Sequence, residues 1–123
     1  MTPTDLTLLA ASVVEAAQKS LPPQLRPLAA TVPVHYEALP DAELIAAGFE
    51  PDILGLFTGS PHGADLSEDQ PMPAEIVLFL ENLWDFAEGD CEVFRDEVRI
   101  TYLHELGHFL GWDEEDLAAR ELD

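Results

Sequence analysis

The sequence is poor in cysteine and in basic residues, and both shortages narrow the classes of protein it can belong to. Cys91 is the only cysteine, so no disulfide can form within the chain, which fits a reducing cytoplasm. Lysine and arginine number five against 25 aspartate and glutamate residues, for a net charge of −20. Such a chain would repel phosphates, so we expect neither nucleic acid nor an anionic membrane among its partners.

Long hydrophobic runs are missing as well. The longest apolar run near the middle of the chain, residues 76–80, is far too short to cross a bilayer. Residues 1–20 lack a basic segment, and Asp5 and Glu15 interrupt their apolar stretch. We therefore predict no signal peptide and a cytoplasmic location.

With 123 residues, 47% of them hydrophobic, the chain is predicted to form one domain over residues 1–123. Hydrophobic periodicity and helix-end signals predict helices over 4–20, 41–47, 91–110 and 113–121, and strands over 32–38, 53–58 and 75–80. The first of these helices is expected to have its cap near Thr4 or Asp5, and the helix over 91–110 to have Asp90 as its N-cap. Residues 59–63 and 65–73 are predicted as loops, while 81–89 could be a turn of helix or an irregular crossing. Because helix and strand mix without a regular β-α-β rhythm, the predicted class is α+β.

The strongest chemical signal is His104-Glu105-Leu106-Gly107-His108, an H-E-x-x-H motif near the end of the helix predicted over 91–110. Positions i and i+4 of a helix lie about 40° apart and one turn along, so both imidazoles can reach one ion. Glu105 then lies beside the ion, where its carboxylate can act as a general base. This arrangement is typical of zinc-dependent peptidases.

The C-terminal half of this predicted helix is apolar nearly all round, apart from the three polar motif residues. Glu97 and Thr101 are expected on the side of the two histidines. The opposite side is apolar and consists of Val98, Tyr102, Leu106 and Phe109. We therefore predict a buried helix, in which one metal ion would satisfy both imidazoles. The competing interpretation is two core histidines hydrogen-bonded to nearby acids.

Two histidines make only half of a zinc site, so a third ligand is required. Gly111 can take the chain out of the helix in a left-handed conformation, which lets a following acid fold back toward the ion. Glu114 is the first choice for this ligand and Asp113 is the second. Asp113 could instead cap the predicted final helix, and Glu115 and Asp116 are better explained as acids in its first turn.

The chain resembles the small bacterial zincin-like metallopeptidases described as minimal zincins. The resemblance rests on the motif from His104 to Glu114, which is similar to the extended pattern H-E-x-x-H-x-x-G-x-x-[H/D]. Weaker similarities are Leu21-Pro22 at the end of the first helix, the segment 54–57 and the acids after the motif. A minimal zincin-like core implies a small mixed sheet of about three strands packed on the motif-bearing helix, with N-terminal and C-terminal helices.

The resemblance also implies roles for individual residues. His104 and His108 would bind the metal, Glu105 would be the catalytic base, and Glu114 would take the third ligand position. Glu114 departs from the pattern, because aspartate or histidine is the commoner occupant. Both methionines of the chain precede the motif, so the sequence has no Met-turn and is not a full metzincin.

These observations predict a metallopeptidase that uses one divalent metal, with zinc as the expected ion and manganese or another transition metal as the alternative. The substrate is expected to be a peptide or protein held by a sheet edge, for which the strand over 75–80 is the candidate. His35, Tyr36 and His62 are candidates for a second oxyanion stabiliser, although each is better explained as a surface or packing residue.

Two other classes of function stay open on the sequence alone. A zincin core that no longer turns over would bind metal without cleaving any peptide. An acidic interaction protein would bind a basic partner in a salt-sensitive manner and hold no stoichiometric metal. The sequence leaves the oligomeric state open, and Asp90 and Glu92 disfavour a reactive thiolate at Cys91.

Overall fold

A computed structural model of the chain describes residues 1–59 and 73–111. The described elements, in chain order, are α1 (Pro3–Ser20), α2 (Arg26–Ala30), β1 (Val34–Glu37), α3 (Ala42–Ala46), β2 (Gly55–Thr58), β3 (Glu75–Phe79), α4 (Leu80–Phe86) and α5 (Cys91–Phe109). Five helices and one mixed sheet of three strands confirm the predicted α+β class for these residues. The helix predicted over 113–121 and most of the loops predicted between 59 and 73 lie outside the described residues.

Strand β3 lies between the other two strands of the sheet. β1 pairs with it in parallel, with Val34 opposite Ile76, and β2 pairs with it antiparallel, with Gly55 opposite Leu78. The prediction that the strand over 75–80 offers a free edge is therefore wrong, because both of its sides are already hydrogen-bonded. Among the described residues, β1 and β2 form the edges of the sheet.

Helix α1 begins one residue before its predicted start because a capping box precedes it. The N-cap is Thr2, whereas Thr4 or Asp5 was the expected position. The Thr2 hydroxyl accepts a hydrogen bond from the Asp5 amide, and the Asp5 carboxylate accepts one from the Thr2 amide, each at 3.1 Å. Pro3 occupies the first helical position, where its missing N–H leaves no helical hydrogen bond unmade.

Two short helices are not specified by the sequence pattern. Helix α4 follows β3 directly, so the start of the segment 81–89 is helical and not an irregular crossing. Leu80 and Leu83 of this helix are buried in the core. Helix α2 spans only five residues and buries Ala29. Both are too short for hydrophobic periodicity to distinguish a helix from a loop.

Helix α5 packs one side into the centre of the core. Val98 and Tyr102 are fully buried and Leu106 and Phe109 are nearly so, as predicted for this side of the helix. Phe94, one turn earlier, is fully buried as well. The Asp90 carboxylate caps the helix by accepting hydrogen bonds from two amides of the first turn, which confirms the predicted N-cap. None of the helices in the described part of the chain is both long and apolar enough to cross a membrane.

Helix α1 is fastened to α5 by apolar packing and by one hydrogen bond. The Gln18 side-chain amide donates to the Tyr102 hydroxyl at 3.0 Å, so this buried phenol has a polar partner. Burial raises the pKa of Tyr102, and the Gln18 hydrogen bond opposes that rise in part. The α1 residues buried in the core are Leu6, Ala10, Val13, Val14 and Ala17.

Strand β2 approaches α5 so closely that it requires a glycine. A Cβ atom built on Gly55 would lie 2.6 Å from the Thr101 Cγ2 atom and 3.3 Å from Leu78 Cδ2. The first distance is well below van der Waals contact, and Thr101 is itself buried, so it has little freedom to move away. Gly55 therefore sets the spacing between the edge strand and the long helix.

Replacing Gly55 by alanine is expected to lower the free energy of unfolding by about 1–3 kcal/mol, because the added methyl group overlaps Thr101 Cγ2. Chemical denaturation measures the difference. Thr101→Ser removes the opposing methyl group. In that background, adding Gly55→Ala should lower the free energy of unfolding by less than Gly55→Ala does in the wild-type protein. Equal losses in the two backgrounds would contradict the close approach.

Replacing Tyr102 by phenylalanine should make the protein less sensitive to alkali. Because the folded state raises the pKa of this phenol, the neutral form contributes stability that is complete below about pH 10 and is lost as pH rises through the folded value. Loss of the Gln18 hydrogen bond should cost about 1 kcal/mol near neutral pH. Melting temperatures from neutral to strongly alkaline pH should therefore fall less steeply for the variant than for wild type.

Candidate metal centre

The polar residues of the H-E-x-x-H motif converge on the last two turns of α5. The ring centroids of His104 and His108 are 4.8 Å apart, with their planes at 82°. One potential ligand atom from each of His104, Glu105 and His108 lies within 4.8 Å of the other two. Imidazole nitrogens and carboxylate oxygens are ligand types that zinc accepts, and the motif brings two nitrogens and one carboxylate together. The donor set therefore fits a divalent transition metal.

These three side chains are less buried than the sequence pattern predicts. His104, Glu105 and His108 are all partly exposed, whereas Leu103 and Leu106 beside them are 3% and 2% exposed. The side of α5 that carries Val98, Tyr102 and Leu106 is the one that packs into the core. Partial exposure argues against two fully buried core histidines.

An open cleft of about 330 Å³ begins beside the motif, and His104 and Glu105 line it directly. Helix α5 forms one wall of the cleft with Glu97, Ile100 and Thr101, and the residues entering β2 form the other wall, namely Ile53, Leu54 and Gly55. A larger hollow of about 430 Å³ lies on the other side of α5, where Leu21, Arg99 and Leu103 are among its lining residues. That hollow includes none of the three polar motif residues, so the smaller cleft is the one placed for chemistry.

The wall opposite α5 is held by hydrogen bonds that no local sequence pattern predicts. The Asn82 side-chain amide donates to the carbonyls of Pro51 and Ile53, at 2.8 and 2.9 Å. The Phe79 amide donates to the Leu54 carbonyl at 3.0 Å. The only local signal for Asn82 is an amide side chain within the largely apolar segment of α4. Its acceptors are about 30 residues away in the sequence, so pattern alone does not reveal them.

The end of α5 is positioned from two directions. Phe109, which follows His108, packs against Phe57 of β2 with the ring centroids 6.1 Å apart and the ring planes tilted. Gly111 adopts a φ of +80°, which confirms the predicted left-handed exit from the helix. The amide of Gly111 donates to the His108 carbonyl at 3.0 Å. The chain therefore leaves the helix directly after the second histidine.

Of the remaining candidate ligands and oxyanion stabilisers, His35 and Tyr36 lie in the described part of the chain. Glu114, the first choice for a third ligand, and its alternative Asp113 lie outside the described residues, as does His62. His35 is on the exposed side of β1 and faces Glu75, with 3.7 Å between the His35 Nε2 and Glu75 Oε1 atoms.

Tyr36 is also absent from the cleft. It lines a separate hollow with Leu6 and Trp84, and its burial there raises the pKa of its phenol. Neither His35 nor Tyr36 is therefore placed to stabilise an oxyanion in the cleft.

Comparison with known proteins identifies a family. A family model described as zincin-like metallopeptidase matches residues 29–123, which is well over half of the chain. The matched region contains all three described strands, helix α5 and the complete motif through Glu114. No curated protein matches the chain.

Metal binding should depend on both motif histidines. Replacing either His104 or His108 by alanine is expected to weaken zinc affinity by more than about 100-fold, because each substitution removes one of the few protein ligands of the ion. Chelator competition on the purified protein measures the affinity. His35→Ala removes an exposed histidine outside the cleft and should leave the affinity unchanged. Equal affinity in all three variants would place the metal elsewhere.

Proposed function

The chain belongs to the zincin-like metallopeptidase family, and we propose that it is a metal-dependent peptidase that hydrolyses peptide bonds. The observation that carries the proposal is the convergence of His104, Glu105 and His108 beside an open cleft. The family implies a divalent metal, and two imidazoles with a carboxylate suit zinc best, with manganese as the alternative.

We propose that His104 and His108 each hold the ion through one ring nitrogen. Glu114 supplies the third ligand in this proposal, with Asp113 as the alternative, because the chain turns out of α5 at Gly111 just before them. The ion, when bound, supplies a Lewis acid that polarises a carbonyl oxygen and lowers the pKa of water.

The chain's own catalytic residue in this proposal is Glu105. Its carboxylate takes a proton from the attacking water, whose oxygen bonds to the scissile carbonyl carbon. The same carboxylate then delivers the proton to the leaving amine as the C–N bond breaks, so the products are a carboxylic acid and an amine. The position of Glu105 supports this role, because its carboxylate lies near both histidines and lines the cleft.

Strand β2 is the sheet edge best placed to hold a substrate. Its first residue, Gly55, lines the cleft, and no described strand pairs with the side of β2 that faces away from β3. An extended peptide can add to such an edge through backbone hydrogen bonds that do not depend on its side chains. This assignment replaces the strand over 75–80, which is central in the sheet.

Glu105→Gln is expected to retain stoichiometric zinc and to lower hydrolysis by at least about 100-fold, because the amide cannot accept the proton. Elemental analysis and cleavage of a peptide library, on wild type and variant, measure both quantities. Glu92→Gln makes the same chemical change in the exposed first turn of α5 and should keep full activity.

Two results would contradict this assignment. Full activity of Glu105→Gln would remove Glu105 as the base. Stoichiometric metal in wild type with no cleavage of any library peptide would instead indicate a metal-binding module that does not turn over.

A further inference from the structure

We infer that the cleft contains a subsite for a basic side chain of the substrate, lysine or arginine, with Glu97 as the carboxylate that recognises it. The inference rests on the proposed peptidase function and adds the class of substrate to it. It concerns a residue that the hydrolytic chemistry itself does not use.

Glu97 lies at a distance from the motif that suits a substrate side chain. It precedes His104 by two turns on the same side of α5, about 10 Å along the helix axis, and it lines the cleft with Ile100 and Thr101. An extended peptide advances about 3.3 Å per residue. For a peptide that runs along α5, Glu97 is therefore level with a substrate position about three residues from the bond to be cleaved.

The surroundings of Glu97 suit the two parts of a basic side chain. The neighbouring cleft residues Ile53, Leu54 and Ile100 are apolar and can pack against an aliphatic stem. Glu97 is partly buried, and no lysine, arginine or histidine within residues 1–59 and 73–111 lies within 4.0 Å of its carboxylate. A substrate ammonium or guanidinium would supply the missing counter-charge through charge-assisted hydrogen bonds.

The basic residues of the described chain lie away from the cleft. Arg95 and Arg99 are each about 160° from Glu97 around α5, and they line hollows on the side of the helix that faces α1. Lys19 pairs with Glu15 on α1, and the Arg26 side chain donates to the Leu21 carbonyl.

The two arginines of α5 therefore lie on a different side of the helix from Glu97. The acidic side chains that α5 contributes to the lining of the cleft are those of Glu97 and Glu105. This division, in a chain of net charge −20, should attract basic peptides to the cleft and repel acidic ones.

The test compares cleavage of matched fluorogenic peptides by the zinc-loaded full chain. The peptides carry lysine, glutamine or glutamate at each position within three residues of the scissile bond. We expect kcat/KM to favour lysine over glutamine by about tenfold at one position, with glutamate the poorest. Glu97→Gln should abolish this preference, and Glu97→Lys should reverse it.

Asp96→Asn is the matched control. It makes the same change in net charge one residue away, but Asp96 is exposed in the hollow that contains Arg95 and Arg99. The lysine preference should survive in this variant. An equal loss of preference in Glu97→Gln and Asp96→Asn would overturn the subsite and assign the preference to net charge. Equal cleavage of the lysine, glutamine and glutamate peptides would also overturn the subsite, while leaving the proposed peptidase function intact.

A binding measurement separates failure of the subsite from failure of the peptidase. Fluorescence anisotropy of the same peptides with zinc-loaded Glu105→Gln reports binding without cleavage. Tighter binding of the lysine peptide that disappears in Glu97→Gln/Glu105→Gln would support the subsite even if wild type cleaved nothing. Equal binding of lysine and glutamate peptides would contradict it whatever the activity of wild type.

Discussion

Burial of one side of helix α5 is the interaction on which the rest of the structure depends. Phe94, Val98 and Tyr102 have no exposed surface, and they lock the rotation of the helix about its axis. Once that rotation is set, the 3.6-residue period fixes the directions in which His104 and His108 leave the helix. The direction of the imidazoles is thus a consequence of apolar packing elsewhere on the same helix, and any loosening of that packing would misdirect them.

A second constraint acts through the edge strand. Gly55 lets β2 approach Thr101 more closely than any residue with a Cβ atom would allow. Because Gly55 and Thr101 both line the cleft, their contact also sets how near the strand edge comes to the motif. Asn82 holds the residues that lead into β2 from the other side. The width of the cleft is therefore decided by packing and by hydrogen bonds that contribute to stability before any substrate is present.

Local signals made α5 and its motif predictable, whereas non-local pairing made the sheet order unpredictable. Asp90 and Gly111 mark the helix ends by their own chemistry, and the i, i+4 spacing brings the histidines together without help from the rest of the chain. The central place of β3 depends on a parallel pairing with β1, about 40 residues earlier, and no spacing within either strand encodes it. The partial exposure of the motif residues is unpredictable for the same reason, because it depends on which distant parts of the chain pack against the helix.

The distance between Glu97 and the motif has an electrostatic consequence. A divalent ion at His104 and His108 would oppose the negative charge of the cleft, and a close carboxylate would lose its attraction for a cationic substrate. Two helical turns place Glu97 about 10 Å away along the axis, slightly more than the Debye length of about 8 Å at physiological ionic strength. Separation and solvent screening together would weaken the effect of the ion's charge at Glu97. Metal binding and attraction of a basic side chain can therefore coexist on one helix face more readily than they could with a carboxylate one turn from the ion.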